Sequence, residues 1–92
     1  MSECVLKFCG ILDEVIDDAS YGWNPHLEDQ VHWCVWSAPI SVNIAFRLNL
    51  LAAWLMYWDM YKEAELALRK ALLCGVKVST DFAGGLCLRW LL

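Results

Sequence analysis

Three alanines, Ala52, Ala64 and Ala71, constrain this chain more than any other feature. They fall in two consecutive helical patterns, an apolar one ending near Trp58 and a second one over residues 60–75. Only Asp59 and Met60 separate the two, so the helices must run antiparallel as neighbours. Small side chains at these positions are what a close crossing of two helices requires. The expected fold is all-α, a small helical-hairpin bundle or short α-solenoid fragment of four to five helices. Residues 1–92 form one helical domain.

Periodicity places the elements. Val5, Phe8, Cys9, Leu12, Val15, Ile16 and Ala19 recur at three- and four-residue steps, which predicts a helix over 3–19. Gly10 is read as a point of close helix packing. The loop 20–24 ends in Asn24-Pro25, a cap followed by a residue tolerated at the first helical position, so a second helix is predicted over 25–37. Pro39 ends it. A third helix over 41–58 is apolar almost all round and is assigned to the middle of the bundle. The fourth, 60–74, has a main stripe of Tyr61, Ala64, Leu68, Ala71 and Leu72, and a second one of Leu66 and Leu73. Glu63 and Glu65 are placed with Lys62, Arg69 and Lys70 on its charged side, and Glu65 pairs with Arg69 at i, i+4. Gly75 is the expected left-handed stop. A short fifth helix is expected after residue 81.

The chain has 92 residues, of which 60% are hydrophobic and six are Trp. That is above the usual share of about 45–50%. A domain this small buries only about 60–65% of its unfolded surface, so part of the apolar excess is expected to face a partner, a second copy or the rest of a longer protein. The net charge is −4, with the acids concentrated in residues 1–30 and a slight basic excess after residue 46. An acidic front half argues against nucleic acid, which is bound through clustered Lys and Arg. The longest uncharged run in the third helix, 48–58, is far short of the roughly 20 residues that span a bilayer. No secretory signal is read at the N-terminus, so the chain is expected in the cytoplasm or nucleus.

Residues 45–78 resemble one tetratricopeptide repeat. The family's large, small and aromatic positions fall on Leu48, Leu51, Ala52 and Leu55 in the first helix and on Ala64, Leu68 and Ala71 in the second. The three small positions agree with the family. Its Trp and Tyr are replaced here by Leu, and Val76 stands where its terminal Pro belongs. The resemblance covers about a third of the chain and implies a scaffold that binds other proteins.

No residue set reads as catalytic, cofactor-binding or metal-binding. Cys4, Cys9, His26, His32 and Cys34 are the only zinc-like constellation in the sequence, and their spacing does not match the pairs two to four residues apart that zinc sites use. The five cysteines are expected to be free thiols,. Cys34 lacks a base on its own helix face, because His32 is two residues away. Asp13, Glu14, Asp17 and Asp18 read as solvated helix acids. Trp33 with Trp36 and Trp54 with Trp58 have core spacings, and core packing is expected for the tryptophans.

These readings point to a non-enzymatic helical protein-interaction module, either a tetratricopeptide-like scaffold or a fragment of a longer helical-repeat protein. The expected contact residues are Leu86, Leu88, Trp90, Leu91 and Leu92, together with Leu66 and Leu73, the face of the fourth helix onto which that segment would fold if it were core instead. The expected partner is another protein or a second copy, met through the apolar C-terminal segment. Two other readings compete: a small membrane-surface protein, disfavoured because residues 82–92 carry only Arg89 as a cation, and a thiol or zinc protein.

Overall fold

A computed structural model describes residues 2–75 as four α-helices, α1 (Glu3–Tyr21), α2 (Leu27–Ser37), α3 (Val42–Tyr57) and α4 (Tyr61–Leu73). There is no strand among the described residues. The all-α expectation holds, and each helix lies within about two residues of its predicted span. The fifth helix expected after residue 81 lies outside the described residues.

Each boundary has a local cause. The Ser2 hydroxyl accepts from the Val5 N–H at 3.2 Å, and that of Ser41 from the Asn43 N–H at 3.3 Å, so both residues cap the helices that follow,. Asn24 behaves differently from the simple cap that was expected. Its side chain accepts from the His26 N–H at 2.9 Å, which makes Pro25 and His26 a turn and delays α2 to Leu27,. At the end of α3, Asp59 takes φ 61°, and the Asp59 and Met60 N–H groups donate to Met56 and Leu55 carbonyls at 3.1 and 2.8 Å. This is a Schellman termination with Asp in the left-handed position usually held by glycine. Gly75, at φ 87°, provides the stop that was expected after α4.

The hairpin α3–α4 has the most extensive contact, and α1 lies on α3 while α2 lies on α4 and α1. Two hairpins are thus layered on one another. Leu12, Leu27, Ile44, Leu48, Leu51, Leu55 and Leu68 are enclosed where the layers meet. Each such burial stabilises the fold by about 1.5–3 kcal/mol. Ala52, Ala64 and Ala71 have no exposed surface, as the close crossing of α3 and α4 requires.

The structure corrects several expectations. The helix α3 buries more residues than any other, yet it is not in the middle: its outer face has no neighbour among the described residues. Four helices layered two on two leave each of them one open side. On α4, Tyr61 and Leu72 are exposed, and Ala67 and Glu63 take their places inside. Glu63 therefore leaves the charged side to which the sequence assigned it. Gly10 is solvent-exposed with open space where a Cβ would lie, so no close packing depends on it. No helix among the described residues is long and apolar enough to cross a membrane.

Candidate interaction surface

The residues of α3 that point away from the core form a single stripe. Val42, Phe46, Leu50 and Tyr57 are 48%, 59%, 52% and 70% exposed, and Ala53 lies between the last two. Phe46, Leu50, Ala53 and Tyr57 follow steps of four, three and four residues, the spacing of a coiled-coil seam. None is charged. Arg47, beside the stripe, is turned toward α1, where its Nε donates to Asp13 Oδ1 at 3.0 Å and its guanidinium donates to the Asn43 carbonyl at 3.1 Å. The apolar face is thereby left free of charge.

A second, smaller apolar feature lies between α2 and α4. Val35, Trp36, Leu66 and Leu73 line a shallow groove of about 200 Å³, flanked by Arg69 and Lys70. Leu66 is half-buried and Leu73 is exposed, so both expected contact residues of α4 belong to one open feature. The pair Glu65–Arg69 is present at 2.6 Å, as the spacing predicted. The other expected contact residues, Leu86, Leu88, Trp90, Leu91 and Leu92, lie outside the described residues.

The tryptophans divide: Trp23, Trp33 and Trp36 depart from expectation and are exposed, whereas Trp54 packs against the core and Trp58 is half-buried against α1. The buried face of α2 is Leu27, Val31 and Cys34, and a spacing of i, i+3 put Trp33 and Trp36 together on the other side. Trp33 stacks on Phe8 of α1 with ring centroids 5.5 Å apart. Spacing alone says that two residues share a face; it does not say which face is inward.

The candidate chemistry separates cleanly. Cys4 is exposed, whereas Cys9, Cys34 and Cys74 are buried, and all four are free thiols. Burial pushes the Cys34 thiol up to about 11, so it is protonated and a poor nucleophile near neutrality,. The zinc-like set of Cys4, Cys9, His26, His32 and Cys34 is not brought together. The structure instead gathers Glu28, His32 and Glu63, whose ligand atoms lie within 4.8 Å of one another. Sequence reasoning missed this group because it sought thiolates and histidines and set carboxylates aside. The local half, Glu28 and His32 at i, i+4, was available; Glu63 arrives only when α4 packs on α2.

Comparison of the chain with protein-family models, curated proteins and solved structures found no match in any of the three.

Proposed function

We propose that the chain is a non-enzymatic helical protein-interaction module that self-associates through the outer face of α3. The observation that carries this reading is the uncharged seam Phe46, Leu50, Ala53, Tyr57 on a helix with no neighbour on that side among the described residues. Open apolar patches of this kind mark contact surfaces. A second copy is the partner that the stripe itself favours. In an antiparallel pair about a two-fold axis between Leu50 and Ala53, each Leu50 faces the other copy's small Ala53, and Phe46 faces Tyr57. Large side chains meet small ones at the centre, and no charge opposes the contact. A membrane surface fits less well, because the stripe has no flanking set of Lys and Arg.

Layered hairpins and the burial of Leu48, Leu51, Ala52, Leu55, Ala64, Leu68 and Ala71 are what supports reading the module as a tetratricopeptide-like scaffold or a piece of a longer helical-repeat protein,. The apolar positions of residues 82–92 add a second contact to the same association. Light scattering coupled to size exclusion tests self-association directly. A mass of two chains supports it, and a monomer over the whole concentration range overturns it.

A further inference from the structure

The amino-terminal turns of α2 and α4 meet at three potential ligands. His32 Nε2 lies 4.0 Å from Glu28 Oε1 and 3.9 Å from Glu63 Oε1. These separations are too long for hydrogen bonds. They describe three atoms around a shared gap. A triangle with sides of about 4–4.8 Å has its centre about 2.5 Å from each corner, near the 2.0–2.2 Å of zinc bonds to imidazole and carboxylate. Rotation of Glu28, whose side chain is 66% exposed, closes the remaining difference without moving either helix.

Glu63 is the most enclosed of the three side chains. It is only 9% exposed, and its carboxylate accepts no hydrogen bond from any described residue. No Lys or Arg among the described residues forms an ion pair with it; its one charged-group contact is His32 at 3.9 Å. An imidazole beside two carboxylates is a ligand set for a first-row divalent ion rather than for Mg²⁺ or Ca²⁺, which prefer all-oxygen shells.

We propose that Glu28, His32 and Glu63 form a binding site for a zinc-class divalent cation, with a fourth coordination position left to solvent. The open side is the depression of about 510 Å³ lined by Trp23, Glu28, Asp59, Met60, Tyr61, Lys62 and Glu63, which has room for a water ligand. Bound there, the cation ties the start of α2 to the start of α4, the pair of helices otherwise joined by a limited contact. The site is independent of the α3 face, so either can fail without the other.

The test uses the full chain, stripped of metal and titrated with Zn²⁺ and, separately, with Co²⁺. Calorimetry is expected to give one equivalent of Zn²⁺, Co²⁺ to give the absorption of a low-symmetry four-coordinate site, and Zn²⁺ to raise the melting temperature. His32→Ala and Glu63→Gln are each expected to weaken binding at least tenfold. Circular dichroism checks that both variants fold, and the exposed Glu28→Gln provides the same reading if Glu63→Gln does not. Absence of saturable binding overturns the site. Binding that persists unchanged in His32→Ala and Glu28→Gln also overturns it and assigns the metal to the thiols.

Discussion

The indole N–H of Trp58, at the end of α3, donates to the backbone carbonyl of Ala19 in the last turn of α1 at 2.8 Å. The final carbonyls of a helix have no partner within it, and this contact satisfies one of them across 39 positions of sequence. It accounts for α1 continuing to Tyr21 although Asp17 and Asp18 oppose the dipole at that end,. Replacing Trp58 with Phe keeps the ring and removes the donor. We expect a loss of about 1 kcal/mol in urea unfolding, with faster amide exchange in the last turn of α1. Unchanged stability and exchange would show that the bond holds nothing.

Ala52 and Ala64 are fully enclosed where α3 crosses α4, whereas Gly10 faces open space on α1. Ala52→Leu and Ala64→Leu are each expected to destabilise by about 1–3 kcal/mol through overpacking. Gly10→Ala is expected to stabilise by about 0.5–1 kcal/mol, because a helix interior favours alanine. Neutral results for both leucine variants in a denaturant melt would contradict the close-packed hairpin.

The sequence made this hairpin legible because its signals are local. Alanines at helical spacing, a two-residue turn and Gly75 each act within a few residues of themselves. What it left hidden depends on which side of a helix faces inward. The same apolar all-round pattern that placed α3 in the core contained its exposed seam, and only the count and layering of neighbours decide how much of it is covered. Trp33 and Trp36 were misplaced for the same reason. Glu63 looked like a surface acid until α2 supplied His32, 31 positions earlier in the chain.

The Cys34 thiol bears on alkaline stability. Burial raises it from about 9.0 to about 11. Below pH 9 it is protonated in both folded and unfolded chains and contributes no pH dependence. Between about 9 and about 11 the unfolded chain releases its proton and the folded one keeps it, so stability falls as pH rises. Cys34→Ala creates a cavity and is less stable at neutral pH, but it lacks this loss. The stability gap between native chain and variant is therefore expected to narrow from about pH 9 to about pH 11,. A constant gap would show that the thiol is not held protonated by burial.

Removing residues 82–92 addresses the apolar end. The four described helices enclose their own core, so helicity is expected to persist and association to weaken without vanishing. Complete loss of association with helicity intact would move the contact from α3 to Leu86, Leu88, Trp90, Leu91 and Leu92. Unfolding would make those residues part of the core.

Self-association through α3 is tested most directly by light scattering on the full chain beside Leu50→Glu. Leu50 is 52% exposed and lies outside the core, so the substitution spares the fold while placing a charge at the centre of the seam. The account predicts twice the 10.5 kDa chain mass for the native protein and the single-chain mass for Leu50→Glu, with equal helicity. A native monomer, or a dimer that Leu50→Glu leaves intact, would contradict it.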